Sequence, residues 1–253
     1  MNKQKIALIT GASRGLGKNM AIALAQKGVD IVFTYNQKAD AANDTIKEIE
    51  ALGQKAKAFQ LNTGLISGFD AFFTELNAYL TETYGEAHFD YLINNAGSSL
   101  QKMIVETTEE QMDEMYNIHF KGVFYMVQKS LPFIQDGGRI INISSGLTRT
   151  TFPGLSVYAS MKGAIDTFTK YVAKELSSRR IAVNVVAPGA IATDFGGGRV
   201  RDNQEYNQLI SGLTALGRVG LAEDIGPVVA FLCSEDGRWI NGQRIEVSGG
   251  MNL

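Results

Sequence analysis

Tyr158 and Lys162 stand four residues apart in a 253-residue chain. The stretch that holds them, residues 157–179, has helical period, so this spacing puts both on one helix face. A free phenol has a pKa near ~10, too high for efficient proton transfer around neutrality, where the best catalyst titrates close to the working pH. A neighbouring ammonium favours phenolate and lowers that value. The pair therefore reads as a general acid/base with its tuner, for a reaction that leaves charge on a substrate oxygen. Hydride arriving at a carbonyl carbon does this, and the oxygen then needs a proton and a fixed dipole. A hydroxyl of Ser144-Ser145, at the end of an apolar run, can supply the dipole.

A second chemical feature opens the chain. The apolar run 6–10 leads directly into Thr10-Gly11-Ala12-Ser13-Arg14-Gly15-Leu16-Gly17 and then into a helical pattern. Glycines in such a turn let the backbone bend sharply, approach a pyrophosphate and pack helix on sheet. The free N–H groups at the helix start then face phosphate. A dinucleotide site that selects NAD usually carries an acid about 20 residues further on, at the end of the second strand. Here that strand ends Thr34-Tyr35-Asn36; Asp30 is at its other end, and Asp40 comes only after Lys38. The planar fork of Arg14 suits a 2′-phosphate, with Lys38 beside it, so NADP(H) is favoured over NAD.

These groups must be positioned by alternating elements. Strand-like runs fall at 6–10, 30–35, 57–61, 91–94, 139–144, 182–187 and 244–247, and helical periods at 16–28, 39–52, 68–84, 108–134, 157–179 and 223–232. Short, nearly continuous apolar strands such as Ile6-Ala7-Leu8-Ile9 are those of a parallel sheet covered on both faces. The expected fold is α/β: a doubly wound Rossmann fold, an about seven-stranded parallel sheet with helices on both faces, in a single domain over 1–253. Residues 193–216 break the rhythm. They open near Gly196-Gly197-Gly198 and continue with Tyr206, Leu209, Ile210, Leu213 and Leu216 at helical spacing. A partly helical lid over the carboxyl ends of the strands is expected there, a packed surface hairpin being the alternative.

Taken together, the glycine turn, Asn94-Asn95-Ala96-Gly97, Asn117 in a helix opened by the capping box Thr107-Thr108-Glu109-Glu110, Ser145, Tyr158-Ala-Ser-Met-Lys162, and Pro188-Gly189 with Thr193 resemble the short-chain dehydrogenase/reductase family across essentially the whole chain. The resemblance implies Ser145, thirteen residues before the tyrosine, as the donor to the substrate oxygen. It implies that Lys162 also holds the nicotinamide ribose and that Asn117 holds a water linking Lys162 to solvent. On the cofactor side it implies Gly11, Ser13, Arg14, Gly15, Leu16 and Gly17 at the phosphates, Tyr35 and Asn36 beyond the second strand, and Asn95, Ala96 and Gly97 along the fourth. Pro188, Gly189, Ile191 and Thr193 then meet the nicotinamide carboxamide. One departure is Asn62, where the family commonly has an acid beside the adenine; its carbonyl oxygen can still accept from the adenine amino group.

Composition narrows the functions. With 24 Lys plus Arg against 26 Asp plus Glu, nothing electrostatic points to nucleic acid. The single cysteine, Cys233, cannot form an internal disulfide and fits a reducing, cytoplasmic setting. No run nears the ~20 apolar residues of a membrane span, and the stretch after Met1-Asn2-Lys3-Gln4-Lys5 is too short for a signal-peptide core. No Cys/His/acid spacing suggests a metal. Neither His88 nor His119 reads as functional, His119 being two residues from Asn117 and so on the opposite side of a regular helix. The leading expectation is an NADP(H)-dependent oxidoreductase interconverting a small or medium ketone or aldehyde with its alcohol. The alternative is a 3-oxoacyl-[acyl-carrier-protein] reductase, with Lys174, Arg179, Arg180, Arg199 and Arg201 as a dock for an acidic carrier protein. A non-catalytic NADP-binding sensor is disfavoured, because tyrosine and lysine are both present. The family usually forms dimers or tetramers, so a homo-oligomer, with Phe168, Tyr171, Val172 and Val247-Ser248-Gly249-Gly250-Met251 as contacts, is expected. Glycine, 27 residues of 253, exceeds the usual ~7%, and the turn, cleft loops and lid absorb part of the excess.

Overall fold

Alternate side chains of a strand point to opposite faces, and in this chain both sets are apolar. In the computed structural model, which describes residues 3–253, that pattern gives a sheet buried on two sides. Met1 and Asn2 lie outside the described residues. The strands β1 (Ile6–Ile9), β2 (Asp30–Tyr35), β3 (Ala56–Gln60), β4 (Phe89–Asn94), β5 (Ile134–Ile143), β6 (Ala182–Pro188) and β7 (Arg244–Val247) form one sheet in the order β3-β2-β1-β4-β5-β6-β7. Every pairing is parallel.

The helices are α1 (Gly15–Ala25), α2 (Ala39–Ala51), α3 (Phe69–Tyr84), α4 (Glu109–Tyr116), α5 (Gly122–Ser130), α6 (Ser156–Glu175), α7 (Arg199–Asp202), α8 (Gln204–Gly212) and α9 (Gly226–Cys233). On one face Ala7, Ile9, Phe33, Ile93, Ile141 and Val186 meet Met20 and Leu24 of α1 and Val229 of α9. On the other, Ile6, Leu8, Val32, Leu92 and Ile140 meet Phe72 and Leu76 of α3, Met126 of α5 and Val172 of α6. Strand order reverses direction of winding between β1 and β4, so the crevice for ligands opens at the carboxyl ends of these strands.

The doubly wound fold is as expected; several elements differ in detail. The single helix expected over 108–134 is interrupted. Thr108, the N-cap, accepts from the Gln111 amide while the Gln111 side chain accepts from the Thr108 amide, so the box is Thr108/Gln111, one residue later than expected. A π turn, Asn117–Lys121, separates α4 from α5, with the Gly122 amide bonding the Asn117 carbonyl. The strand expected at 139 begins at Ile134, and its pairing with β4 shifts register between Phe89 and Tyr91. Val172, expected at a subunit contact, packs in the core, whereas Tyr171 is exposed. The inward residue is the one that meets the sheet. Residues 193–216 form a short helical turn Phe195–Gly198 followed by α7 and α8, and Thr193, Asp194, Phe195, Gly196, Arg199, Val200, Tyr206 and Ile210 line the crevice.

Candidate active site

The glycine turn is held open by its neighbours. The Thr34 hydroxyl accepts from the Gly11 amide at 3.2 Å, and Thr45 of α2 donates to the Ser13 carbonyl at 3.2 Å. On the other side Thr10 Oγ1 accepts from the amides of Asn95 and Ala96 at 3.0 Å, and the Asn95 amide donates to the carbonyls of Thr10 and Gly11. Gly17 sits in this knot: a Cβ there would lie 2.3 Å from the Gly11 carbonyl oxygen and 2.6 Å from Asn95 Nδ2. Helix α1 has no side-chain cap and no acid in its first turn. Its first N–H groups, unpaired within any helix, are therefore available to an anion.

From this turn a cleft of about 590 Å³ runs past Thr34, Tyr35, Asn36 and Lys38, with no acidic side chain at the end of β2. The residues present thus fit a dinucleotide with a phosphorylated ribose: backbone donors for the pyrophosphate, and Arg14 and Lys38 for a further phosphate. Arg14 meets Asp194, beyond β6, at 3.4 Å, an ion pair exposed on both sides and so weak. Asn62 lines the cleft, but its Oδ1 accepts from the Gly64 amide at 2.9 Å, which leaves one lone pair for a ligand.

The cleft continues to Ser145, Tyr158 and Lys162, all buried. The two serines divide their roles. Ser144 donates to the Lys162 carbonyl at 3.3 Å. Ser145 accepts from the Leu147 amide at 3.2 Å, capping the loop while its own proton stays free to donate. Arg244 fastens this loop from below, donating to the Ser145 carbonyl and to Thr148 at 2.9 Å and bridging to Asp166 at 2.9 Å. No chemical pattern in the sequence marked Arg244; it becomes visible only when β7 lies beside β6.

Lys162 Nζ donates to the Ile143 carbonyl at 2.7 Å and lies 5.6 Å from the centre of the Tyr158 ring. The expected tuning of the phenol is reversed in sign. Burial pushes the Tyr158 hydroxyl up to about 12, opposed only by the hydrogen bond to Ser145. Burial also brings the Lys162 ammonium down to about 8, with Asp166 acting the other way. Desolvation sets the direction of both shifts, and Tyr158 is a protonated phenol at neutral pH.

The largest surprise is in the π turn. His119 and Ile118 line the cleft; Asn117 does not. His119 is buried, stands edge-on to the Tyr158 ring at 5.1 Å and 87°, and its Nε2 is 2.8 Å from the Ser98 carbonyl. Asn117 is half-buried. In a regular helix residues two apart face opposite ways, so placing Asn117 inward would turn His119 out; the structure has the opposite arrangement. Gly122 explains the helix position: a Cβ there would come within 2.2 Å of the Thr63 carbonyl oxygen. Only glycine lets the helix press so close to the loop after β3, and the π turn takes up the extra residue. Such turns recur at functional sites. The one available signal was Gly122 itself, three residues after His119.

The end of β6 and the segment after it complete the wall. Pro188, Gly189, Ile191 and Thr193 all line the cleft, as do Gly11, Ser13, Gly15, Leu16, Asn95, Ala96 and Gly97. Thr193 Oγ1 accepts from the Phe195 amide at 3.3 Å. Phe195 lies 5.8 Å from the Tyr158 ring, and Phe152, Leu155, Val200, Tyr206 and Ile210 add apolar surface opposite the serine. Arg199 stacks on Tyr206 at 4.0 Å and donates to Gln101 at 3.0 Å, tying α7 and α8 to the loop after β4.

Comparison with known proteins agrees with this geometry. A family model described as enoyl-(acyl carrier protein) reductase matches residues 11–252. The hydroxynaphthalene reductase-like protein Arp2 of Metarhizium brunneum is 33% identical over 97% of this chain and 94% of its own length. The promiscuous reductase LugOII, which catalyses keto-reduction at C1 during lugdunomycin biosynthesis, superposes with a TM-score of 0.93 at 38% identity, covering 98% of this chain and 97% of LugOII. The landomycin C-6 ketoreductase LanV, solved with bound NADP and rabelomycin, gives 0.90 at 39% identity, covering 99% and 97%.

Proposed function

The chain belongs to the short-chain dehydrogenase/reductase family, and on that premise we propose that it is an NADP(H)-dependent ketoreductase acting on a ring ketone of a polycyclic or hydroxylated aromatic compound. The observation that carries the reading is the convergence of Ser145, Tyr158 and Lys162 on one end of a cleft whose other end is a glycine cradle. NADPH supplies a hydride to the carbonyl carbon. As the C=O electron pair moves to oxygen, the Tyr158 hydroxyl gives up its proton to that oxygen, leaving phenolate and an alcohol. The Ser145 hydroxyl donates to the same oxygen and stabilises the developing charge. The nearby Lys162 ammonium stabilises the phenolate left on Tyr158. A tyrosine protonated at neutral pH suits reduction; the reverse reaction needs the phenolate as base.

The aromatic substrate class rests on two supports. LanV was solved with rabelomycin and Arp2 is named for hydroxynaphthalene reduction, and this chain's own cleft presents Phe152, Phe195 and Tyr206 to a flat ring. The carrier-protein alternative is weaker, because two of its arginines are engaged by acids. Arg179 is bound to Asp136 and to two backbone carbonyls, and Arg201 to Asp194 and Asp202. Residues 193–216 act as the lid of a single catalytic domain. A cytoplasmic homo-oligomer, dimer or tetramer, with exposed Tyr171 at a subunit contact, completes the reading. Analytical ultracentrifugation of the full chain tests it; a monomer at micromolar concentration refutes it.

The function is tested by steady-state oxidation of NADPH and NADH against a panel of fused-ring aromatic ketones, simple aliphatic ketones and acetoacetyl thioesters. Turnover of the aromatic ketones with NADPH, at kcat/KM at least about tenfold above the thioesters and above NADH, is expected. Preference for the thioesters overturns the substrate assignment, and preference for NADH overturns the roles of Arg14 and Lys38.

A further inference from the structure

We infer that His119 is the hydrogen-bond acceptor that holds the Lys162 ammonium through one bridging water, and so positions the cation beside Tyr158. This rests on the reading of Tyr158 and Lys162 above, and it gives His119 the place in the site that the resemblance assigns to Asn117.

The first observation is a buried donor with spare capacity. An ammonium carries three N–H donors, and Lys162 Nζ, on a buried side chain, has one protein acceptor, the Ile143 carbonyl at 2.7 Å. Donors left unsatisfied in the interior are costly.

The second is a buried acceptor with none. His119 Nε2 lies 2.8 Å from the Ser98 carbonyl oxygen and 3.3 Å from the Ser98 amide. A carbonyl can only accept, and the shorter contact places the ring proton on Nε2. Nδ1 is then a bare lone pair, and it is buried with no hydrogen-bond partner. Buried polar atoms are almost always paired, so a donor belongs at Nδ1.

The third is that both groups lie against one ring, Lys162 Nζ 5.6 Å and the His119 ring 5.1 Å from the centre of Tyr158. The ionisable groups beside this pair are Tyr158 and Asp166 on α6. Asp166 carries acceptors and is itself held by Thr148 and Arg244. Lys162 is near enough for its charge to act on the imidazole, which burial and that charge hold neutral. The ring is also gripped: a Cβ on Gly97 would come within 2.8 Å of His119 Cε1, and Tyr158 stands against it at 5.1 Å. A neutral acceptor in a fixed place stabilises the ammonium without neutralising it. His119 is thus a positioning residue, acting on the reacting proton through Lys162.

Two variants and one spectrum test this. His119→Asn keeps an acceptor; His119→Leu keeps apolar bulk and removes it. In His119→Leu the alkaline limb of kcat/KM for carbonyl reduction should move down by about one pH unit, as the ammonium loses a partner. Its kcat should fall about tenfold, within the range of acid–base effects, while the ketone KM stays within about twofold. His119→Asn should bring the limb back to the wild-type position. A limb unmoved in His119→Leu overturns the proposal, since a packing role alone would lower kcat without moving it. Independently of catalysis and of variant folding, 15N spectra of histidine-labelled wild-type protein between pH 5 and 8 should show Nε2 protonated and Nδ1 bare; a proton on Nδ1 overturns it. A Tyr158→Phe variant that still turns over would refute the underlying catalytic reading, and the tautomer would still judge His119.

Discussion

At the scale of single residues, burial decides the electrostatics of the site. Tyr158 is pushed up to about 12 and Lys162 down to about 8, both because the charged form loses its water. The pH profile of the free enzyme follows. Lys162 is charged below about 8 and neutral above it, so kcat/KM for reduction should be flat on the acid side and fall about tenfold per pH unit above that value. Tyr158 stays protonated over the same range and adds no limb below 8. His119, held down to about 3, adds no acid limb between pH 5 and 7. Stopped-flow NADPH oxidation from pH 5 to 10 checks this, and a limb rising between 5 and 7 would contradict it. Replacing the phenol with Tyr158→Phe should lower kcat by at least about 10²-fold, the lower end of general-acid effects. NADPH affinity by fluorescence titration should stay within about threefold. The types and spacing of Tyr158 and Lys162 made that pair readable from the sequence, and the family resemblance chose Ser145 over Ser144. The sign of the tyrosine's shift was not, because desolvation depends on what the fold stacks above the ring.

At the scale of elements, legibility tracks regularity. Strands with apolar residues on both faces and helices with unbroken period were readable to within a few residues. The turn that carries Gly11, Gly15 and Gly17 was readable because a phosphate cradle needs glycine at fixed places. The π turn was not, since period alone describes 108–134 as one helix and a single extra residue rotates everything beyond it. Arg244 escaped notice for a related reason: its partners Ser145, Thr148 and Asp166 are brought to it by sheet order. The interrupted helix makes its own prediction. In Gly122→Ala the new methyl would meet the Thr63 carbonyl at 2.2 Å, forcing α5 outward. Overpacking of this kind costs about 1–3 kcal/mol. The urea midpoint should drop with the m value unchanged. Because the same movement drags His119 from Ser98 and Tyr158, kcat should fall with it. A variant as stable and as active as wild type would show that the helix position is not set by Gly122.

At the scale of the whole molecule, the net charge of −2 told nothing of the substrate, because the chemistry lies in a few buried groups whose surroundings cancel or desolvate charge. Those groups nevertheless govern how the fold responds to acid. His119 titrates near 6.5 when unfolded and about 3 when folded, so between these values the unfolded chain binds more protons and stability falls as pH falls. The stability in question is fully present above 6.5 and is lost progressively below it. Among the carboxylates the Arg218–Asp224 pair behaves in the same direction but lower: Asp224, held down to about 2 from 3.8 by its bonds to Arg218 and the Leu221 amide, loses its contribution only below about pH 4. The window from 6.5 to 5 therefore isolates the histidine. One fully developed proton difference is worth about 1.4 kcal/mol per pH unit; allowing for partial titration near 6.5, wild-type protein should lose about 1.5–2 kcal/mol across the window. His119→Asn has no such group, and its stability should change by less than about 0.5 kcal/mol over the same range. Urea unfolding at closely spaced pH values measures both slopes. If wild type and variant fall in parallel, His119 is charged in the folded state, and the buried neutral imidazole beside Tyr158 is excluded.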